Sequence, residues 1–206
     1  MAQLFALHPT HPQKRLVRQA ADIVRAGGLI AYPTDSCYAL GCHLGDAPAA
    51  ARLRAIRGID ERHHLTLMCR DLSEIARYAM VDDRNFALLK VEGSYTFILP
   101  ARREVPRRLM RKKTIGVRIP RHAAAHALLD ELGEPMLSST LTLPGDAAPL
   151  ADAEEIASRI GRRLDLILDA GPCGTEPSTV LDLTGGAPQV LRKGKGSLEP
   201  FSVEPV

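Results

Sequence analysis

A chain of 206 residues, 45% of them hydrophobic, can bury one full core and is read as a single domain spanning 1–206. Aromatic residues make up 4% and Trp is absent, so the core is aliphatic and stacking platforms for single-stranded bases are few. The formal net charge of +3 hides a split, +10 over residues 1–121 and −7 over residues 122–206, which implies an anionic ligand or partner on one side.

No apolar run approaches the ~20 residues of a membrane span, and the polar opening Met1-Ala-Gln-Leu-Phe-Ala-Leu-His-Pro9 is no signal peptide. A cytoplasmic protein with no membrane partner is therefore expected. Cys37, Cys42, Cys69 and Cys173 form no CxxC pair, so reduced, partly buried thiols are expected rather than disulfides or a structural metal site.

In chain order, Pro12 at a first helical turn, apolar positions at Leu16, Ala20, Ile23 and Val24, and a Gly27-Gly28 stop predict an amphipathic helix. The apolar run 29–33, bounded by that Gly pair and Pro33, reads as a buried strand that empties into a hydroxyl-rich loop. A helix is expected from the N-cap Asp46 to Arg57, stopped by Gly58. Strand 65–69 follows, then a capping-box opening, Asp71-Leu-Ser-Glu74, for the next helix. A helix near 82–91, strands 95–100 and 114–119, a helix at 122–132 and a strand at 136–139 come next. The helix at 152–163 carries Glu154-Glu155 in its first turn and Arg162-Arg163 in its last, as the macrodipole favours. Strands 164–169, 178–183 and 188–192 close the chain, the last two joined by a Gly185-Gly186 turn. There is no internal repeat, and the pattern is mixed α/β with late strands spaced for antiparallel pairing.

Tyr32-Pro-Thr-Asp-Ser-Cys-Tyr-Ala-Leu-Gly41 resembles the Y-P-T-D-[TS]-x-Y-[GA]-L-G signature of the YrdC/YciO family of threonylcarbamoyl-adenylate synthase-like proteins. Tyr95-Thr-Phe-Ile-Leu99, Gly116-Val-Arg-Ile-Pro120, Pro177-Ser-Thr-Val-Leu-Asp182 and Leu191-Arg-Lys-Gly194 follow in family order. The wording at Leu67–Glu74 and Glu134–Leu137 is most similar to the YciO branch. This resemblance implies the YrdC/RibB-like α/β fold, a single-domain twisted open mixed sheet flanked by helices with a basic cavity, and residues 194–206 are read as an extended tail.

The implied reaction joins L-threonine, bicarbonate and ATP (with Mg2+) into threonylcarbamoyl-AMP and pyrophosphate, a step related to tRNA modification. The substrates supply the nucleophiles, so positioning and charge neutralisation dominate and no protein residue is expected to act as acid, base or nucleophile. By the family pattern Thr34 and Ser36 offer hydroxyls to the threonine or carbamate end, Tyr38 lines that pocket, and Ser178 joins it. Arg118, aimed by an apolar strand, suits a carboxylate or phosphate with its planar fork. Thr179 and Arg192 match the nucleotide side, with Gly194 and Gly196 letting backbone approach an anion.

Two motifs depart from that pattern. K-x-R-P-x-x-x-P-L falls without a gap on Arg57 to Leu65, so Arg57 stands for Lys and Ile59 for the second cation. Losing one charge-assisted phosphate contact forfeits about 1.5–3 kcal/mol. S-x-N falls on Thr140-Leu-Thr142, and a Thr hydroxyl cannot reproduce the amide's donor and acceptor fork. Three readings stay open: a synthase, slow on the ATP side; a protein that binds or hydrolyses an acyl-adenylate; and a noncatalytic double-stranded RNA-binding protein.

The RNA reading rests on the basic half of the +10 against −7 split, with Arg102 to Lys113 at its centre and Arg107, Arg108, Arg111 and Lys112 as its contacts, facing double-stranded RNA or tRNA. A monomer or weak dimer is expected. His122 and His126 sit at a zinc-compatible i, i+4 spacing but lack a Glu between them and a third ligand, so they read as surface residues. His63 and His64 fall on the phosphate-side loop and read as a solvated loop, with a weak nucleotide contact as the alternative.

Overall fold

The computed structural model describes residues 1–61, 63–103, 105, 110 and 113–201. The chain threads β1 (Gln3–Ala6), α1 (Lys14–Arg25), β2 (Ile30–Tyr32), β3 (Ala39–His43), α2 (Ala47–Arg57), β4 (Thr66–Met68), α3 (Leu72–Tyr78), α4 (Asp83–Leu89) and β5 (Tyr95–Pro100). It continues through β6 (Thr114–Arg118), α5 (Ala123–Leu132), β7 (Met136–Thr140), α6 (Ala153–Ile160), β8 (Leu166–Asp169), β9 (Thr179–Asp182) and β10 (Gln189–Arg192). Among the described residues the strands form one ten-stranded mixed sheet in the order β1-β8-β2-β3-β7-β4-β6-β5-β9-β10.

Local chemistry sets the helix ends. Asp46, Asp71 and Asp152 each accept a backbone N–H from the first turn of α2, α3 and α6. Gly58 closes α2 in the left-handed region, at φ 62°. In the expected capping box Asp71 accepts from Glu74 N at 2.7 Å, while Glu74 reaches one residue further back than the motif requires, accepting from Arg70 N at 2.8 Å. The helix expected at 152–163 is α-helical only to Ile160 and ends in a 3-10 turn over Gly161–Arg163.

Strand alternation builds two cores. Leu29, Ala31, Leu40, Leu67, Phe97, Leu99, Ile115, Val117, Leu137 and Leu181 face one cluster, which α2 and α6 cover through Leu53, Ile56, Ile156 and Ile160. Ile30, Tyr32, Ala39, Met68, Met136, Leu166 and Leu168 face a second, covered by α1 through Ala20, Ala21 and Val24 and by α5 through Leu128 and Leu129. Thr96, Ile98, Arg118, Ser138, Thr140 and Val180 are out of step with the first cluster and absent from the second. They turn instead toward a cavity that takes in Ala39 and Met68 at the margin of the second cluster.

Two strands were not expected. β1 pairs parallel with β8 at the sheet edge, and with three of four residues exposed it carries little apolar pattern of its own. β3 lies inside the stretch read as a loop, pairing antiparallel with β2 and β7. Ala39-Leu-Gly-Cys-His43 has no β-branched or large aromatic residue, so burial between two neighbours, not local preference, makes it a strand. The stretch read as an extended tail returns to the sheet as far as it is described: Phe201 is buried and packs edge-on to Tyr95, with ring centroids 5.0 Å apart.

Candidate functional site

The loop between β2 and β3 is organised by its own hydroxyls. Thr34 Oγ1 donates to the Cys37 carbonyl at 2.7 Å and accepts from the Ser36 and Cys37 N–H groups, the local turn chemistry Thr favours. Ser36 Oγ in turn accepts from Arg118 Nη1 at 3.0 Å. Arg118 leaves the end of β6 and is 6% exposed. Its Nη2 lies 2.9 Å from Asp35 Oδ1, an ion pair out of hydrogen-bond alignment, and its Nε is buried with no hydrogen-bond partner. Burial alone would raise the Asp35 carboxyl; the Arg118 charge, the Ser94 hydroxyl and the Arg121 N–H outweigh it and hold that group below its ordinary value.

Arg118 opens onto a cavity of about 260 Å³ whose described lining holds three guanidiniums, Arg57, Arg118 and Arg192, and no carboxylate. Arg57, at the last turn of α2, donates from Nε to Ser139 Oγ at 3.2 Å and from Nη1 to the Thr142 carbonyl. Arg192 donates from Nε and Nη2 to the Ser178 carbonyl, at 3.2 and 2.8 Å. Neutral oxygens thus hold both in place without cancelling their charge. Partial burial, then the Arg192 charge, lowers Arg57. An anion set among them would be met by charge-assisted bonds in a partly dry site.

Of the residues singled out in the sequence, Thr34, Arg57, Arg118, Thr140, Ser178 and Arg192 line this cavity. Ser36 lies behind Arg118, and Tyr38 turns to the opposite face, where its hydroxyl donates to the Gly171 carbonyl at 3.0 Å. Tyr38 shares the parity of Leu40 and Cys42, so the unexpected strand explains that correction. Thr142 offers its backbone carbonyl to Arg57, and Thr179 Oγ1 is spent on the Gly196 carbonyl and Gly194 N–H. Neither lines the cavity. Ile59, aligned with the family's second cation, packs against the larger core cluster. Arg107, Arg108, Arg111 and Lys112 lie outside the described residues.

Sequence reasoning missed Asp35 as the partner of Arg118, and Thr96, Ser138 and Ser139 as lining. The hydroxyl run Ser138-Ser139-Thr140 on a buried strand was the available signal. His63 and His64 also line the cavity. His122 instead caps α5, accepting from Ala124 N at 3.2 Å, and His126 is exposed beside Asp130. Burial pushes the Cys37 thiol up, against weaker opposing contacts, so this lining residue stays protonated at neutral pH. Among the described residues no group of three His, Cys, Asp or Glu side chains is placed to hold a metal, and no helix is long and apolar enough to cross a membrane.

The family model Sua5/YciO/YrdC, described as telomere recombination, matches residues 22–194. The chain belongs to the Sua5/YciO/YrdC family. It is 51% identical over 205 residues to Escherichia coli YciO, covering 98% of this chain and 100% of that protein. A protein of Haemophilus influenzae is 50% identical over 206 residues, with 98% and 100% coverage. The crystal structure of E. coli YciO superposes with a TM-score of 0.94 over 98% of this chain and 100% of its own. The P. abyssi Sua5 structure, complexed with L-threonine, gives 0.86 at 26% identity, covering 96% of this chain and 59% of that one. The Sua5/YciO/YrdC family is related to threonylcarbamoyl-AMP synthases, and the mixed α/β sheet flanked by helices is its fold.

Proposed function

We propose that the cavity holds an acyl-adenylate of the threonylcarbamoyl-AMP kind, and that the protein makes it from L-threonine, bicarbonate and Mg-ATP. The observation that carries this reading is a cavity with three guanidiniums and no lining carboxylate, in which the buried Arg118 keeps an unused Nε. The amino-acid carboxylate goes to Arg118, already half neutralised by Asp35. The phosphoryl group goes between Arg57 and Arg192, which have no such counter-charge among the described residues. At about 260 Å³ the cavity falls just below the range of ~300 Å³ and up for drug-sized ligands. It would therefore enclose the carbamoyl phosphate portion and leave part of the nucleoside at its open rim. Threonine bound to P. abyssi Sua5 supports the amino-acid end.

In the proposed reaction the threonine nitrogen takes up bicarbonate carbon with loss of water, and the resulting carbamate oxygen attacks the α-phosphorus as pyrophosphate leaves. Magnesium enters as part of the nucleotide substrate. The protein's contribution is to align the carbamate and to stabilise charge on the phosphorus oxygens. With Ile59 packed against the core cluster and the Thr142 carbonyl turned to Arg57, the ATP end has fewer contacts than the family pattern offers, so synthesis is slow. Incubation with L-threonine, bicarbonate and Mg-ATP is expected to give one pyrophosphate for each adenylate formed, counted as adenylate together with any AMP released from it. Arg57→Ala and Arg192→Ala should each lower the rate about 10- to 150-fold, the worth of a charge-assisted contact. Parent-like rates in both variants would overturn the assignment.

A further inference from the structure

His63 is held in place by groups outside the cavity. Gly58 turns the chain off α2, and Arg54 Nη1 donates to the carbonyls of Asp60 and His63, at 2.5 and 3.1 Å. His63 is exposed as a residue while its ring, about half-buried, is part of the cavity lining, so one side of it meets solvent and the other a bound ligand. Burial of the ring, then the charges of Arg57 and Arg54 from α2 and Arg192 from β10, lower it below the ordinary 6.5, with Asp60 of its own loop opposing. At pH 7 it is a neutral base beside cations that attract a phosphoryl group. No carboxylate in the described lining competes for that role, Cys37 is a protonated thiol, and His64 Nε2 lies 3.4 Å from Thr114 Oγ1.

We infer that His63 is a general base that activates water, so that the same cavity hydrolyses carboxylic or carbamic mixed anhydrides of AMP. This rests on the adenylate reading above. The water oxygen bonds to the carbonyl carbon and the carbon–oxygen bond to phosphorus breaks. AMP leaves with the bridging oxygen, its charge met by Arg57 and Arg192. One water proton passes to His63 and then to solvent; the other is lost as the new acid ionises. A carbamic acid product then releases carbon dioxide and the free amine.

The test uses preformed threonylcarbamoyl-AMP and acetyl-AMP with the full-length protein, following AMP release across pH. The parent should release AMP from both, losing rate as pH falls through the lowered value of His63, below that of an ordinary imidazole, and the ring takes up a proton. His63→Gln should lose at least about 100-fold and the acid limb of the profile, the usual scale of general base catalysis, while binding AMP as the parent does in calorimetry. In 18O-water the acetyl-AMP reaction should place the label in acetate. Parent-like hydrolysis or an unchanged pH profile in His63→Gln, or label in AMP, would overturn the inference and leave the adenylate site standing. Failure of the parent to bind AMP would overturn both.

Discussion

The Arg118–Asp35 pair decides the character of the site at the scale of single residues. Its side chains are 7% and 13% exposed, so removing one partner leaves a buried, uncompensated charge. Arg118→Met is expected to destabilise the fold by about 3–5 kcal/mol, measured by urea denaturation. Adding Asp35→Asn should recover most of that loss, because the burial cost of a lone carboxylate disappears; an equally unstable double variant would contradict this account. Asp35 also sets a pH response. Its folded-state value lies below the ordinary 3.8, so its contribution is complete above that value and is lost as pH falls through the lowered one. Acid titration of the parent should show this added loss, and Asp35→Asn should lack it.

At the scale of elements, the segment after β10 holds one wall of the cavity in position. Gly194 N donates to Thr179 Oγ1 at 3.0 Å, Lys195 N to the Pro177 carbonyl at 2.9 Å, and Tyr95 Oη to the Ser197 carbonyl at 2.8 Å. A Cβ on Gly194 would stand 2.2 Å from the Pro177 oxygen and 2.8 Å from Ser178 backbone, neither of which can swing aside. Gly194→Ala should therefore expel the segment, costing about 1–3 kcal/mol, speeding proteolytic cleavage after residue 193 and weakening AMP binding through Arg192. Unchanged proteolysis and binding would show that this wall is independent of the segment. Elements with their own punctuation were legible: aspartate caps and a terminal glycine placed α2, and Asp71 placed α3. β3 was not legible, since small residues form a strand there only because β2 and β7 flank it. That hidden strand also fixes the parity that turns Tyr38 away from the cavity it was expected to line, whereas Arg118 ends a strand with a plain apolar pattern and lies in the cavity lining.

At the scale of the whole molecule, ordered motifs far apart in sequence made the fold legible, because a shared sheet is what brings Thr34, Arg118, Ser178 and Arg192 to one cavity. The Asp35–Arg118 ion pair and the packing of Ile59 against the core depend on contacts that no spacing encodes. The charge split of +10 against −7 carries the RNA proposal by itself. Duplex RNA should bind with strong salt dependence and little sequence preference. Replacing Arg107, Arg108, Arg111 and Lys112 with Ser should lower the salt slope by roughly 0.9 per lost phosphate contact, measured by titration across salt, and spare AMP binding. Identical slopes would remove that run from the RNA reading. The adenylate cavity is the central claim, and a crystal structure with threonylcarbamoyl-AMP bound tests it most directly. The account predicts the ligand's carboxylate on Arg118 and its phosphate between Arg57 and Arg192; a ligand bound on another face, with those three guanidiniums untouched, would contradict it.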